Sequence, residues 1–155
     1  MEDQDMPQLE EFDDFVTLIF RECSKGNLEL NSIKSLLEKN GEINCRNKDN
    51  HTPLQVVCSN PSISTDVLKF FIENKALVNI NNSDNSPLHK LCQTSKNLDL
   101  IKFLVEFGGA NVNAFGKFKY YPLHKACANK EIAPELFDYL IENKADIGSK
   151  DKWGW

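Results

Sequence analysis

The sequence predicts an all-α fold, a solenoid of stacked helix–turn–helix units whose tips are β-turns or short hairpins. Three observations carry the expectation. A short motif recurs as Thr52-Pro53-Leu54-Gln55, Ser86-Pro87-Leu88-His89 and Tyr121-Pro122-Leu123-His124, with prolines 34 and 35 residues apart. A second helical stretch follows each motif in register: 66–73 (DVLKFFIE), 99–106 (DLIKFLVE) and 135–142 (ELFDYLIE). Each unit then ends alike, in Ala76-Leu77-Val78-Asn79, Ala110-Asn111-Val112-Asn113 and Ala145-Asp146-Ile147. Self-similarity at such a period marks a stack of units that share one core.

Along the chain, residues 1–8 form an acidic lead-in. Seven acids and no lysine or arginine occur before residue 21, leaving 16 acids against 18 bases in the remainder. Such a run is ordinarily a solvated approach to a helix; a docking tail for a basic partner is the sharper reading. A helix over 9–23 is expected from the three- and four-residue steps of Leu9, Phe12, Phe15, Val16, Ile19 and Phe20. A second helix around 33–38 and the ending Gly41-Glu42-Ile43-Asn44 complete a degenerate first unit that lacks the proline motif. In the next three units, proline suits the first helical turn, where its missing N–H is not needed. Thr52 and Ser86 are expected to cap their helices through the hydroxyl, which Tyr121 cannot do. Leu54, Leu88 and Leu123 are expected to point inward. The Asn-rich turns 47–50 and 81–85 suit left-handed backbone, and Gly108-Gly109 reads as a helix-ending turn.

These units resemble the ankyrin repeat, a unit of about 33 residues with the signature T-P-L-H-x-A. The resemblance runs from about residue 16 to the end of the chain. It implies a capping repeat at 9–46, full repeats at 47–80, 81–114 and 115–149, and the start of a further repeat at 150–155. A cap normally closes a solenoid, so the chain is expected to be the N-terminal part of a larger protein. Where the family often has glycine in the turn, this chain has Asn50, Asp84 and Lys119, and only Gly154 keeps it. Lys119 is the least suited, so the third tip is expected to be strained or differently shaped.

Enzyme chemistry finds little support. Cys23, Cys58, Cys92 and Cys127 stand 35, 34 and 35 residues apart, where the family has a small helix residue, and are read as buried packing groups. Helices roughly 8–10 Å apart hold them too far for disulfides. Cys45 lies in a turn and is expected to be the reactive thiol. His89 and Cys92, and His124 and Cys127, have a spacing that suits half a zinc site or a nucleophile with its base. Each pair lacks further ligands or an orienting group. The family resemblance instead implies that the motif histidine bonds neighbouring backbone. Gln55 replaces it in the first full copy, and His51 is read as a turn residue without partners. No phosphate loop, metalloprotease helix or nucleophile elbow occurs, so no catalysis, metal or cofactor is expected.

The resemblance points to a protein-interaction module, a scaffold or adaptor, or else a stoichiometric inhibitor of a signalling or transcription protein. Family members bind with turn tips and the exposed face of each first helix. By register this selects Lys48, Asp49, His51, Ser59 and Asn60, then Asn82, Ser83, Asn85, Gln93 and Thr94. In the third copy it selects Lys117, Phe118, Tyr120, Ala128 and Asn129, and beyond it Lys152, Trp153 and Trp155. Phe118, Tyr120, Trp153 and Trp155, interleaved with Lys117, Lys119 and Lys152, have the makings of a hot spot for an acidic protein or peptide. The alternative is that these aromatics pack on one another or on a further repeat. A net charge of -5 and a pI near 5.2 argue against nucleic acid, and no apolar run is long enough for a membrane span. The start of the chain lacks a signal-peptide pattern, so a monomer in the cytoplasm, with the nucleus open, is expected.

Overall fold

A computed structural model of the chain describes residues 10–80, 86–116, 118–131 and 133–155. The lead-in 1–8, Leu9, the turn at 81–85 with Asn82, Ser83, Asp84 and Asn85, and Lys117 lie outside the described residues, as does the Phe12 side chain. The described residues form helices α1 (Glu10–Cys23), α2 (Leu30–Asn40), α3 (Pro53–Val57), α4 (Thr65–Glu73), α5 (Pro87–Thr94), α6 (Leu98–Glu106), α7 (Pro122–Ala128) and α8 (Glu135–Glu142), with no strand among them. They pair in sequence. The first helices stack α1 on α3 on α5 on α7, and α4 packs on α6.

Local chemistry starts each first helix where the motif places it. Thr52 accepts a hydrogen bond from the Gln55 N–H, and the Gln55 side chain accepts one from the Thr52 N–H at 2.7 Å. That reciprocal cap satisfies two orphan donors. Ser86 caps α5 through the His89 N–H. Tyr121 makes no side-chain cap; its N–H donates to His124 Nδ1 at 3.2 Å. Ile33, Leu54, Leu68, Phe71, Leu88, Leu91, Leu100, Ile101, Leu104, Leu136 and Leu140 are sealed between the layers. No single unit could bury them alone.

A ladder of asparagines ties each unit to the next. Asn44 Oδ1 accepts from the Leu77 N–H at 2.8 Å, while its amide donates to the Lys75 carbonyl. Asn79 does the same with Asn111 and Gly109, and Asn113 with Asp146 and Lys144. The rung that would follow falls on Gly148, which has no side chain.

Four residues end the second helices with left-handed backbone: Gly41 (φ 69), Lys75 (φ 64), Gly109 (φ 66) and Lys144 (φ 68). Glycine adopts this conformation freely, whereas an L side chain meets the carbonyl. Lys75→Gly should therefore stabilise the protein, by about 0.5–1 kcal/mol after the extra flexibility of the unfolded chain is counted. A urea midpoint unchanged or lower would show that the lysine makes a compensating contact. The third unit has one residue more before its helix-ending alanine than the second, Val105–Ala110 against Ile72–Ala76. The extra residue pushes Phe107 outward, stacked on Phe103 at 4.9 Å, and seats Gly108 where a Cβ would lie 2.5 Å from the Leu104 carbonyl oxygen.

Several expectations need correction. Cys45 is buried, and burial pushes its thiol up to about 11, aided by Glu42. It is not the reactive thiol. Burial also raises Cys23 and Cys92 to about 12, and Cys58 further still. Cys127 is exposed, because its counterparts Cys58 and Cys92 are covered by the helix of the next repeat and no described helix follows α8. Leu123 is half-buried for the same reason, unlike Leu54 and Leu88. Maleimide at neutral pH should label Cys127 alone under native conditions, read by peptide mapping; label on Cys45 would contradict this packing. His51 has partners: its N–H donates to Asn47 Oδ1 at 2.9 Å and its carbonyl accepts the Asn47 N–H.

Candidate protein-interaction surface

The tips are built from one hydrogen-bonding plan. The N–H of Asn47 donates to the His51 carbonyl, Gly116 to Tyr120 and Asp151 to Trp155. In the first tip Asn47 Oδ1 accepts two further N–H groups, from Asp49 and His51. Asp151 plays this part in the last tip, accepting from Trp153 at 2.8 Å and Trp155 at 3.1 Å. Residues 151–155 thus close as a tip although no described helix follows them. The third tip has Gly116 at this position and no such acceptor. Lys119 takes left-handed backbone there (φ 54), the strained conformation expected of it. The tip is held from outside instead. His89 Nε2 bonds the Tyr120 carbonyl at 2.9 Å, and the Lys152 N–H donates to the Phe118 carbonyl at 3.0 Å.

Those two anchors bring the aromatic residues together. Phe118 lies 5.5 Å from Trp153 and 6.3 Å from Tyr120, and Tyr120 lies 5.9 Å from Trp153. Lys152 Nζ sits 4.6 Å from the Phe118 ring centre and 4.9 Å from that of Trp153, while Lys125 Nζ sits 4.6 Å above Tyr120. Cation–π attraction holds the ammonium groups against the rings and leaves their outer side to solvent or a partner. Trp153 keeps 55% of its surface exposed within this cluster. The rings therefore pack on one another and still present a face. Trp155 is apart: it is 85% exposed, and its backbone is engaged through Asp151 and His124.

The other site candidates divide. Lys48 and Asp49 are exposed on the first tip, far in register from the aromatic cluster. Ser59, Asn60, Thr94 and Asn129 serve the fold. Asn60 Nδ2 donates to the Lys25 carbonyl, the Thr94 hydroxyl to that of Cys58, and Asn129 Nδ2 to that of Cys92. His89 is likewise spent, its Nδ1 bonded to the Ser86 hydroxyl and its Nε2 to Tyr120. No group of three metal-ligating side chains converges among the described residues. Lys90 and Lys125, which the tip-centred reading passes over, hold one motif position on α5 and α7; the register of Val56, Lys90 and Lys125 carries that signal. Burial, and then Lys125, lower the pKa of Lys90. None of the ion pairs among the described residues involves Lys90, Lys125 or Lys152.

Comparison with known proteins agrees with this architecture. A family pattern described as Ankyrin repeats (3 copies) matches residues 19–116 and 63–151. The mouse serine/threonine-protein kinase TNNI3K is 30% identical over 99 residues, 62% of this chain and 11% of the kinase. Alpha-latrocrustotoxin-Lt1a of Latrodectus tredecimguttatus is 30% identical over 123 residues, 78% of this chain and 8% of the toxin. The chain thus spans about a tenth of the length of the relatives it matches. Among the described residues no helix is long and apolar enough to cross a membrane. With helix pairs, tips and motif all in register, the chain belongs to the ankyrin-repeat family, a protein-interaction fold.

Proposed function

We propose that this chain is a non-catalytic scaffold or adaptor module and that it binds an acidic protein partner through Phe118, Tyr120, Trp153 and the lysines around them. The observation that carries the reading is the clustering of three aromatic rings beneath Lys125 and Lys152, with no carboxylate paired to either lysine among the described residues. Rigid aromatic surface supplies contact area at small entropic cost, and unpaired cations beside it select for negative charge. Trp155, exposed on the same tip as Trp153, is assigned a supporting role. Lys48, Asp49 and His51, together with Asn82 and Asn85, belong to the remaining tips and are assigned a lesser, flanking role, as is Lys117 beside Phe118 in the sequence. The much greater length of the matched kinase and toxin supports a role as one module of a larger protein.

The test is a paired pull-down from source-cell lysate with the native chain and with Phe118→Ala/Tyr120→Ala/Trp153→Ala, both checked for equal helicity. Proteins retained by the native bait should be lost from the variant, and retention should fall as salt rises, because exposed charge pairs are screened. Equal retention by both baits would remove the aromatic cluster from recognition.

A further inference from the structure

We propose that Lys90 and Lys125, one repeat apart on neighbouring helices, form with Lys152 a rail of three cations that seats an acidic segment of a partner protein in extended, polyproline-II-like form. The inference rests on the interaction surface just described and specifies what lies on it.

Register supplies the first argument. Lys90 and Lys125 occupy the same position of their motifs, two residues after the inward leucines Leu88 and Leu123. Because α5 packs directly on α7, equivalent positions stand side by side. The same position on α3 is Val56, so the line of charge begins at the third helix pair and runs toward the aromatic cluster. Lys125 reaches over Tyr120, and Lys152 continues the line over Phe118 and Trp153.

The second argument is charge. All four ion pairs among the described residues lie elsewhere, at Glu22, Glu73 and Glu131. Lys90 is partly desolvated, and the nearby charge of Lys125 adds to the cost of charging it. A carboxylate placed at either ammonium relieves that cost.

The third argument is spacing. Packed helices lie about 8–10 Å apart. A polyproline-II strand repeats its face every three residues, at about 9.3 Å. A peptide with an acid at every third residue therefore meets Lys90 and then Lys125 without changing face, and Lys152 is left to a residue further along it. In a β-strand, residues three apart point to opposite sides.

The experiment is fluorescence anisotropy with a labelled (Glu-Pro-Pro)5 peptide at low salt, titrated with the full chain. (Gln-Pro-Pro)5 and a peptide with its glutamates five residues apart serve as controls. The native chain should bind the glutamate peptide and prefer it over both controls. Lys90→Gln and Lys125→Gln should each weaken binding roughly fivefold, the worth of a partly exposed charge pair. Lys90→Arg and Lys125→Arg should restore it, and all four variants should keep the native melting temperature.

Absence of peptide binding by the native chain overturns the rail. So does equal affinity in the double glutamine variant, or indifference to glutamate spacing. Tighter binding of a helical peptide with glutamates seven residues apart replaces the extended conformer with a helix. A native dimer that Lys90→Gln/Lys125→Gln dissociates makes a second copy the occupant instead. In each case the aromatic surface stands or falls separately, on the pull-down with the alanine triple variant.

Discussion

Phe71→Ala is expected to lower stability by about 3–5 kcal/mol, the usual cost of truncating a sealed aromatic side chain. Phe71 is fully buried on α4, edge-on to Phe70 at 5.8 Å. The helix that carries it packs against α3 in its own unit and α6 in the next. The lost ring thus weakens a repeat and an interface together. Stability in a solenoid is close to a sum of repeat and nearest-neighbour terms. The central position should therefore split the unfolding transition, with the two ends losing structure at different urea concentrations. Urea titration followed by circular dichroism and by tryptophan fluorescence tests both claims. The two tryptophans, Trp153 and Trp155, lie in the last tip and report that end alone. Coincident transitions shifted by less than about 1 kcal/mol would mean that neighbouring side chains close the cavity.

His89→Ala is expected to cost about 2–3 kcal/mol and to disturb the interaction surface as well, since it removes a bond from the buried Ser86 hydroxyl and another from the part-buried Tyr120 carbonyl. The ring is a bridge. Nε2–H donates to the Tyr120 carbonyl, which can only accept, and Nδ1 is left to accept from the Ser86 hydroxyl, so one ring serves α5 and the third tip. That tip lacks the side-chain acceptor that organises the first and last tips, and Lys119 strains it further. Without His89 the tip keeps its own closure and the Lys152 bond. The signature should be a lowered melting temperature together with altered tryptophan emission, because Trp153 rests on Phe118 and Tyr120. His89→Gln should lose much less, for Gln55 already performs the reciprocal cap in α3. Unchanged emission in His89→Ala would show that the bridge stabilises the helix without placing the tip.

The stack of helix pairs was legible because its causes are local and repeated. Proline with a capping hydroxyl starts a helix wherever it occurs, and glycine or asparagine ends one, so the period could be read from Pro53, Pro87 and Pro122. The candidate surface was legible only as a set of residue types. Phe118, Tyr120 and Trp153 stood out as aromatic tip residues, yet their contact depends on the Lys152–Phe118 backbone bond, which joins two tips that no local rule pairs. Lys90 and Lys125 are not legible as a pair in the sequence, because a lysine on a short helix is ordinarily a solvated group. Only the stacking of α5 on α7 makes them neighbours.

The cysteines show the same division. By itself the sequence determined the repeat, the helix starts and the small residues between layers, since each follows from backbone preference or side-chain size; the structural role of the motif histidines followed from the family resemblance. The tertiary structure alone decided which thiol meets solvent: Cys45 turns inward from its tip, while Cys127 loses the cover given to Cys58 and Cys92. Burial belongs to the neighbours a residue receives, and in a stack those neighbours come from another repeat about 34 residues away.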